Sequence, residues 1–327
     1  MKLGEIYKFI VKEGMKKDPR GMEGAKATLK EARSAYRKSR GYQKSAFDKE
    51  KFSNPYSDTR ILYGALNTEV RKVLVGIDIE TPEILMADRL NREGEGIDLI
   101  MAHHPEGVAL AGLSDVMELQ KDVLVKMGLD PKIAKDLLDE RIKEVGRGIQ
   151  TGNHYRAVDA ARLLNMPFMC AHTASDNQVA SFLQSMLNKE KPATAGSVIK
   201  LLNRIPEYKE ANKRKAGPML IVGKEKNKAG KILVDMTGGT GGPSNIFARL
   251  SQAGIGTVIG MHMSEKSFAK AKVEHINVII AGHIASDNLG MNLLLDRLQK
   301  KAKLKILTCS GFTRVRRSNE GQTYGTK

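Results

Sequence analysis

Four of the seven histidines stand at the ends of short apolar runs, each with a second histidine or an aspartate close by. His103 and His104 close the run IDLIMA and precede Pro105; His172 opens HTASD, which ends at Asp176; His283 opens HIASD, which ends at Asp287. Residues four apart face the same way on a helix. If helical, each HxxxD segment offers one imidazole nitrogen and one carboxylate oxygen to a common point. Nitrogen and oxygen donors without thiolates suit zinc, manganese, iron or nickel better than a structural zinc knot. Neighbouring residues of a regular strand point to opposite faces, which argues against His103 and His104 sharing one ion within a strand. Pro105 stops the ladder, and a bend beyond it lets the pair address two neighbouring ions. A lone histidine in such a place is more readily a hydrogen-bonded core residue. Three histidine-containing motifs, all on strand ends, argue for a metal site. His154 and His275 have no carboxylate at ligand spacing and read as structural.

The elements that must position these groups are legible from periodicity. RKVLVGIDI (71–79), the helical pattern PEILMADRLNREG (82–94) and IDLIMAHHP form a βαβ unit, and MPFMCAHT adds a strand after a mostly helical stretch, 113–165. KILVDM, PSNIFARLSQAG and GTVIGMH repeat strand, helix and strand in the second half, and INVIIAGH adds one more strand. His262 falls where His103 falls, so the halves read as two related lobes. Strands separated by helices imply mostly parallel or mixed sheets flanked by helices, with ligands beyond the carboxyl ends of the strands. The expected division is a basic helical region at 1–65, a first α/β lobe at 66–200, a second at 201–312, and a flexible basic tail at 313–327. The loop MTGGTGGPSN (236–245) could bring backbone N–H groups to an anion, but it lacks a P-loop lysine and reads better as a plain βα turn.

Composition narrows the setting. The chain of 327 residues is 41% hydrophobic, enough to fill a core, and no stretch approaches the ~20 apolar residues of a membrane span. The N-terminus alternates apolar and charged residues at helical spacing, unlike a signal peptide. Two isolated cysteines, Cys170 and Cys309, suggest no disulfide framework. A soluble, cytoplasmic protein without membrane partners is expected. Lys and Arg outnumber Asp and Glu by 54 to 37, a formal charge of +17, and the excess is dense in residues 1–60. This fits a solvated basic face or, with less support, nucleic-acid binding.

The ordered set AHHPEG, AHTASDNQ and AGHIASDNLG resembles the Nif-three-like proteins, also known as type-two GTP cyclohydrolase I homologues, over residues 70–300. The resemblance implies a two-lobed α/β fold with two divalent metal ions in the cleft between the lobes. It implies His103, His104, Asp176, His283 and Asp287 as ligands, Asp287 bridging, with His172 supporting Asp176 or facing substrate. It also implies a homo-oligomer, a toroidal hexamer. Three departures stand out. The bridging position is normally glutamate, one methylene longer than Asp287. Glu106 replaces an apolar residue and is expected to face solvent. SDTRILYG (57–64) stands where many relatives carry a tryptophan-containing motif, and this chain has no Trp.

Two divalent ions against two carboxylates would leave a cationic site, attractive to phosphate or carboxylate and able to lower the pKa of a water. The expected function is therefore metal-dependent hydrolysis of a nucleotide or phosphorylated small molecule, an anionic partner. The alternative is a metal-binding regulatory protein without turnover that contacts protein or nucleic acid.

Overall fold

A computed structural model describes residues 1–317; most of the expected tail, 318–327, lies outside the described residues. The N-terminal region forms α1 (Leu3–Lys17), α2 (Gly21–Lys38) and α3 (Gly41–Ser45), then β1 (Thr59–Tyr63). Next come β2 (Lys72–Gly76), α4 (Thr81–Arg92) and β3 (Leu99–Ala102). The helices α5 (Gly107–Ala111), α6 (Leu113–Val116), α7 (Glu118–Met127), α8 (Pro131–Ile149) and α9 (Arg156–Leu163) lead to β4 (Phe168–Ala171). After β4 run α10 (Thr173–Glu190), α11 (Ala195–Leu202) and α12 (Pro206–Lys213). The second half holds β5 (Met219–Val222), β6 (Lys231–Asp235), α13 (Phe247–Gln252), β7 (Ile255–Gly260), α14 (Glu265–Val273) and β8 (Asn277–Ile280). It ends with α15 (His283–Gln299) and β9 (Lys305–Thr308). Among the described residues no helix is long and apolar enough to cross a membrane.

Two mixed sheets result, β1-β4-β3-β2-β9 and β5-β8-β7-β6. Four strands run parallel in the first (β4, β3, β2, β9) and three in the second (β8, β7, β6), and β1 or β5 joins antiparallel at the edge. The repeat seen in the amino-acid pattern is therefore a repeat of topology. β1 lies inside the expected helical region 1–65, and β9 inside the expected second lobe, yet both pair in the first sheet. Central strands covered on both faces need continuous apolar runs rather than alternation. Val73, Leu74 and Val75 of β2, and all of β3 and β4, are buried accordingly.

The two longest helices that follow strands, α10 and α15, pack against each other between the sheets. Their crossing is close because Gly290 has no side chain: a Cβ there would stand 2.7 Å from the carbonyl oxygen of Ser175. On the far side of the second sheet, α7 and α8, which come from the first half of the chain, complete an apolar layer with α13 and α14. The first turns of α10 and α15 thus meet where the carboxyl ends of β3, β4 and β8 face a common cleft.

Candidate metal centre

Strand β3 ends at Ala102, but the next two backbone N–H groups still donate to the end of β2, His103 to Gly76 and His104 to Ile77, both at 2.9 Å. Beyond the regular ladder the two rings no longer point to opposite faces; their centroids lie 5.1 Å apart. His172 precedes the first residue of α10 and Asp176 sits in its first turn. His283 is the first residue of α15, reached through Gly282 at φ 99°, a conformation that favours glycine. A Cβ at Gly282 would also stand 2.4 Å from the Ala216 carbonyl oxygen. Both HxxxD segments are helical, so each histidine and its aspartate share a helix face.

The side chains converge on Asp287. Its Oδ1 is 3.3 Å from His103 Nε2, which is itself 3.4 Å from Asp176 Oδ1. Its Oδ2 is 3.4 Å from His104 Nε2 and 3.7 Å from His283 Nε2. His172 Nε2 approaches the other oxygen of Asp176 at 3.9 Å. Each carboxylate oxygen of Asp287 therefore addresses a different imidazole set.

The other ring nitrogen of three of these histidines is held from behind. Nδ1 of His103 meets the Ala171 carbonyl oxygen at 3.2 Å, Nδ1 of His104 meets Asp78 Oδ1 at 2.6 Å, and Nδ1 of His172 meets Asp58 Oδ2 at 2.9 Å. Thr173 donates its hydroxyl to the same Asp58 oxygen at 2.6 Å. An acceptor at Nδ1 fixes the tautomer that leaves Nε2 free as a ligand atom, the arrangement common behind metal-binding histidines.

Burial and charge pull these groups in opposite directions. Burial drives the His103 imidazolium down to about 4 despite the nearby Asp287 carboxylate. Burial raises Asp176, with Asp287 and Asp58 adding to the rise against the pull of His172. Burial also works against the Asp287 carboxylate, yet the surrounding imidazoles of His103, His104 and His283 outweigh it and hold this acid well below the usual range. His172 is raised, because Asp176, Asp58 and Asp287 outweigh its burial. The buried atoms His103 Nε2, Asp176 Oδ1 and both oxygens of Asp287 have no hydrogen-bond partner in the protein. Unsatisfied buried polar atoms are costly, and four of them turned toward one another are what a cation site requires. His103, Asp176 and Asp287 form one group whose donor atoms lie within 4.8 Å of one another; His104, His283 and Asp287 form a second; His103, His104 and His172 a third. These residues could hold a metal ion.

All six residues singled out by type and spacing are thus brought to one cleft. Three others at the cleft, Asp58, Asp78 and His262, were not assigned to it in advance. Asp58 and Asp78 are distant in sequence from the rings they hold and carry no spacing signal. His262 did carry one, as the counterpart of His103 after β7, and its ring centroid lies 5.0 Å from that of His283. The glycine-rich loop lines the cleft, but its carbonyls are tied up: Gln120 Nε2 donates to Gly238 and Thr240, and Arg141 Nε donates to Gly241. A short 3-10 turn and then the six-residue α13 follow it.

Two mixed-sheet lobes around a buried His/Asp cluster define an α/β protein with a possible metal site. The solved structures similar to it include a NIF3 superfamily protein from Sphaerobacter thermophilus, with 24% identity and a TM-score of 0.68, covering 88% of this chain and 98% of that one. Reduced HcgD from Methanocaldococcus jannaschii follows at 16% identity and a TM-score of 0.45, covering 76% and 87%. A Bacillus cereus protein related to NIF3 has 14% identity and a TM-score of 0.40, covering 90% and 98%. The first of these shows that the chain has the NIF3 fold. No protein-family model and no curated protein matches the sequence.

Proposed function

We propose that the chain is a hydrolase of a nucleotide or another phosphorylated small molecule, dependent on two divalent ions drawn from zinc, manganese, iron or nickel. The observation that carries this reading is Asp287, whose two oxygens face separate imidazole sets at 3.3 and 3.4 Å. His103, Asp176 and one oxygen of Asp287 would hold one ion; His104, His283 and the other oxygen would hold the second. Such ions supply Lewis acidity and a water made acidic enough to attack near neutral pH. The protein's own part is positional. Asp58 and Asp78 orient the rings of His172 and His104. His172 Nε2, turned toward Asp176, is the atom at which a proton can be held or passed during the reaction. Arg141, tethered to the glycine-rich loop beside His262, offers a cation to an anionic substrate at the cleft mouth.

Elemental analysis of protein purified without added metal, followed by assay of a nucleotide and phosphoester panel with manganese, zinc or iron, tests the reading. Metal content should fall in Asp176→Ala and His283→Ala, and turnover should vanish in His103→Ala and Asp287→Ala. Unchanged metal content in those variants would sink the ligand set, and bound metal without turnover on any member of the panel would favour a metal-handling protein. Self-association as a hexamer and a cytoplasmic setting belong to the same proposal. Two cysteines without a disulfide are compatible with a reducing compartment, and light scattering measures the assembly.

A further inference from the structure

A cavity of about 400 Å³ opens beside the cluster, between α7 and the second sheet. It shares Asp235, Thr237, Thr240, Gly241 and His262 with the small cavity lined by His172, Asp176 and His283. The two cavities therefore adjoin across a shared wall, the larger lying on the side of the second sheet. Its size falls within the range of small-molecule sites and exceeds the gaps left in a packed interior.

The two ends differ in chemistry. Val123, Leu124 and Met127 of α7 face Ile246, Phe247 and Leu250 across the far end. Three of the polar side chains along the rim are spent on the protein itself. Gln184 accepts from the backbone N–H of Val234 and donates to the carbonyl of Ile232. Asp18 is engaged by Arg20 and by the hydroxyl of Tyr56, and Gln120 is engaged by the glycine-rich loop. Groups already paired in this way offer little to the polar edges of a nucleobase. At the cluster end His262 and the Arg141 guanidinium line the cavity, Arg141 also pairing with Glu144 and the Gly241 carbonyl.

We infer that this cavity holds the apolar half of the substrate: the ligand is an amphipathic organic phosphate, its anion at the His/Asp cluster and a ring-sized apolar group between α7 and α13. The inference rests on the metal-dependent reading above and narrows it from phosphorylated molecules in general to those with an apolar ester group. Burial of such a group should be visible as affinity at constant charge.

The test compares methylphosphonate with phenylphosphonate, which carry the same anion and differ in the apolar group, by calorimetry on the full chain loaded with Mn²⁺. Phenylphosphonate should bind at least about ten-fold more tightly, the effect expected from burying one ring. Val123→Trp and Met127→Trp, two independent ways of filling the cavity, should erase that preference while metal content and methylphosphonate affinity stay at the wild-type level. Equal affinity for the two probes in the wild-type chain would overturn the inference while leaving the anion site intact. A preference that survives in either folded tryptophan variant would overturn it too. If neither phosphonate binds the metal-loaded chain, the anion-binding reading itself falls and the inference with it.

Discussion

The imidazoles of the cleft work only if the right nitrogen faces inward, and three different groups see to that. A carboxylate behind Nδ1 does more than a carbonyl, because it also favours positive charge on the ring and raises its strength as a donor. Asp78 plays this part for His104 and Asp58 for His172. Asp78→Asn should therefore weaken metal affinity about 10–100-fold, measured by competition with a chelator. Asp58→Asn should leave metal content near the wild-type level while lowering turnover, since His172 loses its orientation rather than the cluster a ligand. Neither carboxylate was legible in the amino-acid pattern. Asp58 lies 114 residues from His172, and the two meet because β1 pairs antiparallel with β4, Thr59 opposite Ala171. The HxxxD pairs were legible because their partners lie one helical turn apart.

At the scale of elements, α10 and α15 cross closely enough that Gly290 touches the backbone of Ser175. Gly290→Ala must push the helices apart. It should cost about 1–3 kcal/mol, as overpacking does, seen as a lower Tm, and metal content should fall with it because Asp176 and Asp287 separate. Asp287→Glu belongs to the same logic: Asp287 is fully buried, and the added methylene should lower the Tm without adding metal. Unchanged Tm and metal content in both variants would show that the crossing is slack. The parallel pairing of β2 with β3 and of β6 with β7 followed from the βαβ pattern, and the correspondence of His103 and His262 from its repetition. The return of β9 to the first sheet did not, because KILT is a short run whose partner is set by where α15 delivers it. That partner is β2, far away in sequence.

For the whole molecule the question is whether the basic N-terminal region is an appendage or part of the body. Its charge pattern suggested helices set apart from the lobes, whereas Leu3, Ile6 and Ile10 of α1 are fully buried in the core that also holds β2, β3 and α15. Asn177 and Gln178 of α10 donate to the carbonyls of Gly14 and Glu13, so α1 also braces the helix that carries Asp176. Farther along, Arg60 is buried and pairs with Asp48 and Glu50. Burial alone would raise the Asp48 carboxyl, but Arg60 outweighs it and holds the acid below its ordinary range. A carboxylate depressed in this way adds stability above its unfolded pKa of about 4, and that contribution is lost as pH falls through the lower folded value. Thermal unfolding followed between pH 6 and 3 should show the loss, and Arg60→Met should show a shallower one. Deleting residues 1–17 is the stronger test. It removes three fully buried aliphatic side chains, each contributing about 1.5–3 kcal/mol, against a total stability of about 5–15 kcal/mol for a typical domain. It also takes one acceptor each from two buried amides on α10, leaving Asn177 only Tyr56 and Gln178 only Ala174. The shortened chain should aggregate or melt without a cooperative transition, and any soluble fraction should carry less metal than the full chain; an unchanged Tm and metal content would make the N-terminal helix an appendage after all.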